Sequence, residues 1–222
     1  MTERRLLLAT QNPGKVREIR RALKGLTLKV VGLADVLPGL SHAERGRTFA
    51  ENARAKSLFY SRKWTGLTLA EDSGLEIEAL GGAPGVRSAR FSGPRPSDEK
   101  NNKKVLRLLR AVPPEGRRAR FVCVMVLSRQ GRVVAEFHGQ VRGRIGPAPR
   151  GGSGFGYDPL FYYRPLGKTF AELPPEVKNA VSHRGRAVRR LRAFLESEKG
   201  APSGGRPDRA RTVISARSRR PR

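Results

Sequence analysis

Gly154-Phe155-Gly156-Tyr157-Asp158-Pro159 places an aromatic ring between two glycines and beside a carboxylate. Glycine on each side lets the backbone turn and come close to a bound molecule. An aromatic face stacks on a flat heterocycle, and polar groups beside it read the edge. Downstream, Lys178-Asn179-Ala180-Val181-Ser182-His183-Arg184 gathers further polar side chains. Lys178, His183 and Arg184 offer donors to an anion or a carbonyl. Together the two segments point to a nucleotide ligand.

Two other segments carry chemistry. Thr10-Gln11-Asn12-Pro13-Gly14-Lys15 follows an apolar run and opens a helical pattern. Free backbone N–H groups and the helix dipole favour an anion there. Thr10 and Asn12 add hydrogen bonds, and Lys15 adds a positive charge suited to phosphate. Read alone, the same residues describe an ordinary capped helix with a surface lysine.

Glu71-Asp72-Ser73-Gly74 is expected as a turn at the carboxyl end of a strand, where ligands bind in open α/β sheets. Adjacent carboxylates suit Mg2+, which takes oxygen ligands and keeps waters. Asp72 could also orient or deprotonate a water. Paired acids on a turn are otherwise commonly solvated, but acids are scarce in this chain. Glu44 and Glu51 are further acids that could join the site. No His/Cys spacing for zinc, no P-loop and no dinucleotide fingerprint is present.

The formal net charge of the 222 residues is +27. That balance fits solubility with an arginine-rich composition, anionic substrates or weak nucleic-acid contact, and does not separate them. Apolar residues make up 37%, enough for a globular core. The single cysteine, Cys123, lies in the apolar run 121–127 and reads as a buried thiol. One cysteine excludes an intrachain disulfide framework. Every apolar run is too short to span a bilayer, and the N-terminus reads as a first strand. The expected compartment is the cytoplasm.

The elements that must position these residues alternate in type. Strands are expected at 5–9, 26–31, 67–70 and 75–80, a hairpin at 119–128 and 133–141 around Gln130-Gly131, and a strand at 160–163. Helices are expected from Pro13 through Leu23, over 48–63, 97–111 and 182–196. Thr48 followed by Glu51 looks like a capping box. Residues 1–196 form the expected catalytic domain. From residue 197 a Pro/Gly/Ser/Arg-rich basic tail runs to 222 and is expected to be disordered, with possible non-specific nucleic-acid contact.

Taken in order, Thr10-x-Asn12-x-x-Lys15, Asp72-Ser73-Gly74-Leu75 continuing to Gly81-Gly82-Ala83-Pro84-Gly85-Val86-x-Ser88-Ala89-Arg90, the Gly154–Pro159 loop, and Lys178 through Ser182-His183-Arg184 resemble the Ham1/RdgB family of inosine/xanthosine triphosphate pyrophosphatases. The resemblance covers Arg4 to about Leu195. It implies an α/β fold: a long twisted mixed sheet flanked by helices, two lobes and an active-site cleft between them, usually in a homodimer. It implies hydrolysis of purine nucleoside triphosphates such as ITP, dITP and XTP to monophosphate and pyrophosphate with Mg2+. By the same resemblance Thr10, Asn12 and Lys15 hold phosphates, with Gln11, Pro13 and Gly14 completing that turn. Asp72 binds metal and activates water, and Ser73 contacts substrate. Phe155 stacks on the purine, with Gly156, Tyr157 and Asp158 lining the base pocket. Lys178, His183 and Arg184 read the base edge. Glu44, as a metal ligand, and Lys56, toward substrate, also fall at family-like positions. Where many members carry two aspartates, this chain has Glu71-Asp72. The alternatives are a Maf-like pyrophosphatase acting on modified pyrimidine nucleotides and a non-enzymatic nucleic-acid-binding protein.

Overall fold

A computed structural model of the chain describes residues 4–198. Its centre is a seven-stranded sheet in the order β2-β1-β3-β4-β5-β6-β7. Strand β1 (Arg5–Leu8) runs parallel to β2 (Lys29–Gly32) and to β3 (Leu67–Ile77). The remaining pairs, through β4 (Arg118–Arg129), β5 (Arg132–Ile145), β6 (Phe161–Tyr163) and β7 (Lys168–Thr169), are antiparallel. The sheet is therefore mixed, as the α/β reading required.

One expectation about β3 is corrected. Glu71-Asp72-Ser73-Gly74 is not a turn between two strands. Thr68 through Ile77 pair without a break against β4, from Ser128 to Ala119. The turn-like residues are overridden by this ladder, because each backbone group they would free has a partner on β4. Only the last part of the expected 75–80 strand leaves the sheet, as a short helical turn at Glu78–Leu80. The second strand is also shorter than expected, starting at Lys29 rather than Leu26.

Helices cover the sheet. Helix α1 (Pro13–Ala22) and α6 (His183–Ser197) lie on one face, where Ile19, Leu23, Ala187, Val188 and Leu191 pack against Leu69, Cys123, Met125 and Leu127. Further along that face α4 (Asp98–Leu108) supplies Val105 to a core with Leu75, Phe121, Phe161 and Phe170. The opposite face carries α2 (Leu33–Val36) and α3 (Phe49–Ser61), over Ala70, Val124 and Val126. The long strands β3, β4 and β5 thus run through two cores, one toward each end. The Thr48 cap holds, with its Oγ1 accepting from the Glu51 N–H at 3.1 Å. The reciprocal half of the box does not form: the Glu51 carboxylate accepts from the Arg47 N–H instead.

Helix α5 (Pro175–Val181) was not expected from the sequence. Only Ser182 separates it from α6, and the Ser182 hydroxyl caps α6 by accepting from the Gly185 N–H. This junction is tightly packed. A Cβ on Gly185 would sit 1.7 Å from the Asn179 carbonyl oxygen, and one on Gly139 of β5 would sit 2.0 Å from that of His183. Close approach therefore requires glycine at both sites. Gly185→Ala should lower stability by ~1–3 kcal/mol through overpacking, read as a fall in Tm. An unchanged Tm would contradict this packing. Among the described residues no helix is long and apolar enough to cross a membrane. Of the tail expected to be disordered from residue 197, Ser197 instead closes α6 with Glu198 as its cap, and 199–222 lie outside the described residues.

Candidate active site

The cleft begins where β1 stops. Strand β1 pairs with β3 only from Leu6 to Leu8, against Leu67 to Leu69. Past that point Glu71 to Gly74 have β4 on one side and an open edge on the other. Side chains from both faces of β3 can then border one space. That space holds about 300 Å³ and is lined by Thr10, Gln11, Asn12, Lys15, Glu44, Lys56, Asp72, Ser73, Phe155, Gly156, Tyr157, Asp158, His183 and Arg184, all expected site residues. Pro13, Gly14 and Lys178 do not line it.

The N-terminus of α1 forms one wall. Asn12 is its cap, with Oδ1 accepting from the Lys15 N–H at 3.0 Å, and Pro13 takes the first helical position. The Asn12 side-chain oxygen is thus in use, which leaves its amide group for a ligand. The Lys15 ammonium lies 2.7 Å from Glu71 Oε1. Burial pulls the Lys15 pKa down, but the charge and hydrogen bond of Glu71, with Asp72, together outweigh it and the net direction is up. Lys15 is a firm cation beside the helix terminus, a combination that suits phosphate.

The neighbouring acids part company. Alternation along β3 sends Glu71 and Ser73 to the α1/α6 face and Asp72 to the α3 face. Glu71 is buried and held by Lys15, the Arg184 guanidinium and the Cys123 thiol, which donates at 3.1 Å. Burial raises its pKa, yet the cations win and hold it well below the usual carboxylate range. Glu71 and Asp72 therefore do not form a joint carboxylate site. Cys123 is fully buried, as read from the sequence.

Asp72 is 5% exposed and accepts from Asn52 Nδ2 and from the Ser73 N–H, both at 2.9 Å. Burial, reinforced by the negative charge of Glu44, pushes its pKa up. Glu44 is half-buried and ion-paired with Lys56 and, at 3.8 Å, with Arg90. Burial raises the Glu44 carboxyl, but the charge and hydrogen bond of Lys56, with Lys15 and Arg90, together outweigh it and the net direction is down. Among the described residues no three His, Cys, Asp or Glu are arranged to hold a metal. A pair of mutually repelling carboxylates on a shared cleft still fits a divalent cation that takes its other ligands from phosphate and water. That is the usual habit of Mg2+.

The wall beside that terminus is aromatic. Phe155 is flanked by Gly154 and Gly156 at φ +80 and +64. Its N–H donates to Asp158 Oδ2 at 2.9 Å, and the Gly156 N–H donates to Asp98 at 2.7 Å. Asn102 donates to the Gly156 carbonyl. The ring presses on Gly14, where a Cβ would lie 2.5 Å from it. Lys178 Nζ and the Arg184 guanidinium carbon lie 4.9 and 5.4 Å from the ring centre.

Burial changes the parts expected of the remaining residues. Tyr157 is buried, its hydroxyl donating to the Ser88 carbonyl at 2.8 Å. Asp158 is buried and commits one oxygen to Lys178 and the Phe155 N–H, so it braces the loop. Lys178 sits behind Phe155, between Asp158 and Glu18. His183 stacks on Phe121 at 4.6 Å and 12°. Burial, with Arg184 adding to it, drives the His183 pKa well down, so the ring is neutral and not a cation for an anion. Its Nδ1 is buried without a hydrogen-bond partner. Arg184 donates from Nε to Glu71, from Nη1 to Glu18 and from Nη2 to the Ser73 hydroxyl. A guanidinium has about five N–H donors, so some remain for a ligand.

The Ham1 family model matches residues 6–194. The chain belongs to the Ham1 family. It is 49% identical over 192 residues to the dITP/XTP pyrophosphatase of Geobacter sulfurreducens, covering 86% of this chain and 96% of that one. It is also 49% identical over 199 residues to a dITP/XTP pyrophosphatase of Thermus thermophilus, covering 89% and 93%. Among solved structures, a HAM1 protein from Coxiella burnetii superposes with a TM-score of 0.79 at 38% identity, covering 87% of this chain and 99% of that one. In this Ham1 chain the sequence reading passed over Glu18, Asn52, Asp98 and Asn102, which hold the expected residues in place. Glu18 had a signal: it is the lone acid in a helix that also carries Lys15, Arg17, Arg20 and Arg21, one turn beyond Lys15.

Proposed function

We propose that this Ham1 protein hydrolyses ITP, dITP and XTP to the nucleoside monophosphate and pyrophosphate, and so clears deaminated purines from the nucleotide pool. One observation carries the reading. A single cleft is lined by the cationic helix terminus with Lys15, by the Phe155 ring that abuts this terminus at Gly14, and by Asp72. The named activity of the Geobacter and Thermus relatives supports it. They give no support to a Maf-like enzyme or to a purely nucleic-acid-binding protein.

The mechanism follows from the chain's own residues. The α1 terminus, Thr10, Asn12 and Lys15 hold the β- and γ-phosphates. Ser73 lies at the edge between phosphate and sugar. Phe155 stacks on the base, which fixes the α-phosphorus opposite Asp72. Asp72, oriented by Asn52 and the Ser73 N–H, accepts a proton from the attacking water. Asp72 and Glu44 would hold Mg2+, which supplies charge neutralisation for the triphosphate and its leaving pyrophosphate. Lys56 keeps Glu44 ionised and aimed at the cleft. The enzyme positions and neutralises, as phosphoryl-type chemistry requires. Pyrophosphate release across ITP, dITP, XTP, ATP, GTP and modified UTP tests the reading. Preference for the first three supports it, and preference for a modified pyrimidine contradicts it.

The cytoplasm is the compartment and a homodimer the assembly that go with this reading. The basic tail adds non-specific nucleic-acid contact. Ending the chain after Glu198 should leave ITP turnover unchanged, because every cleft-lining residue precedes it. It should also flatten the salt dependence of DNA binding, since that slope scales with phosphate contacts. A large loss of kcat on truncation would contradict this division of labour.

A further inference from the structure

Glu71 has no place in the mechanism above, yet it is among the most buried charges in the protein, at 1% exposure. Its two oxygens face two different parts of the site. Oε1 meets Lys15 of the phosphate-binding terminus at 2.7 Å. Oε2 accepts from Arg184 Nε at 3.2 Å, on the base side, and from Cys123. The Lys15 contact is a close ion pair, which engages at most one of the three ammonium N–H groups. Lys15 is therefore held in place and keeps its remaining N–H donors for a ligand. Arg184 continues the chain to the Ser73 hydroxyl at 2.8 Å. The carboxylate lies on the sheet face opposite Asp72, with its oxygens turned to Lys15, Arg184 and Cys123 rather than to the Asp72–Glu44 pair.

We propose that Glu71 is a positioning residue for substrate selection and not a metal ligand: it ties Lys15 to Arg184, so that the phosphate grip and the base-reading wall are held in one register. The identity of the substrate rests on the pyrophosphatase reading; the tie itself rests on the contacts of Glu71. A triphosphate anchored at Lys15 then presents its base to an Arg184 that is already fixed. Pre-set geometry favours a base that matches the wall and gives a mismatched base no room to adjust. A longer acid than aspartate suits this task, because one carboxylate must reach two cations on different helices.

The test compares the unmutated protein with Glu71→Gln and Glu71→Asp. Calorimetric titration with the α,β-methylene analogues of ITP and ATP reads base selection without turnover, on ligands that carry the phosphates Lys15 holds. Hydrolysis of ITP over a range of Mg2+ concentrations reads the metal. In Glu71→Gln the ratio of ITP-analogue to ATP-analogue affinity should fall about tenfold, the size of one lost charged hydrogen bond. The Mg2+ concentration for half-maximal activity should stay within about twofold. Glu71→Asp keeps the charge but loses reach, so its ratio should fall in between. If Glu71→Gln fails to fold, the aspartate variant decides. A folded variant with the unmutated affinity ratio overturns the proposal. So does a tenfold shift in the Mg2+ requirement, or an unmutated protein with no preference for the ITP analogue. An unmutated protein that prefers the ITP analogue yet releases no pyrophosphate from ITP would remove the pyrophosphatase reading and leave this proposal to the affinity ratios.

Discussion

Asp72→Asn should lower kcat for ITP by about a thousandfold, or ~4 kcal/mol in the barrier, while the fold stays intact. The substitution keeps volume and removes both the charge and the proton acceptor. Backbone pairing to Val124 does not depend on the side chain. The amide can still accept from Asn52, so the strand and α3 remain joined. Stability should respond in the opposite sense from activity. Burial and Glu44 hold the Asp72 pKa up in the folded state, so the folded protein favours the protonated form. Stability from that proton is present below the unfolded pKa and is lost as pH rises through the folded value. At neutral pH in EDTA the variant should therefore melt at or above the Tm of the unmutated protein. That advantage should vanish as the pH falls below the usual aspartate range. Near-normal kcat in Asp72→Asn would remove Asp72 from the reaction.

The next largest effect concerns the base. ITP, dITP and XTP should exceed ATP in kcat/KM by ~100-fold or more, because a mismatched buried hydrogen bond costs ~1–3 kcal/mol and several act together. Donors on Arg184 suit a 6-oxo group, whereas the 6-amino group of ATP sets donor against donor. Neutral His183 supplies both a donor and an acceptor. His183→Phe keeps the stacking on Phe121 and removes the polar edge, so the ITP-to-ATP ratio should narrow about tenfold, mainly through slower ITP turnover. Phe155→Ala is the contrast. An aromatic face is indifferent to the base edge, so KM should rise for both substrates by ~10–100-fold with the ratio kept. A ratio lost in Phe155→Ala but kept in His183→Phe would reverse these roles.

Much of the scaffold was legible because its signals are local. Pro13 after Asn12, Ser97 before α4 and the Gln130-Gly131 hairpin each specify an element through a few adjacent residues. The continuity of β3 was not legible. Glu71-Asp72-Ser73-Gly74 has turn chemistry, and only pairing with the distant β4 holds it extended. Helix α5 was missed because so short a helix is fixed by packing against α6 rather than by its own periodicity. For the site, the motifs named the residues but not their burial. Sequence could not show that Glu71 and Asp72 part to opposite faces, that His183 is neutral, or that Asp158 and Lys178 brace each other. Those facts depend on burial and on partners such as Glu18 and Asn52, which carry no motif of their own.

Hydrolysis of ITP in 18O-labelled water tests the central claim most directly. Attack by a water held at Asp72 on the α-phosphorus should place the label in IMP and leave pyrophosphate unlabelled. Label in pyrophosphate, or release of inorganic phosphate with IDP, would contradict that claim.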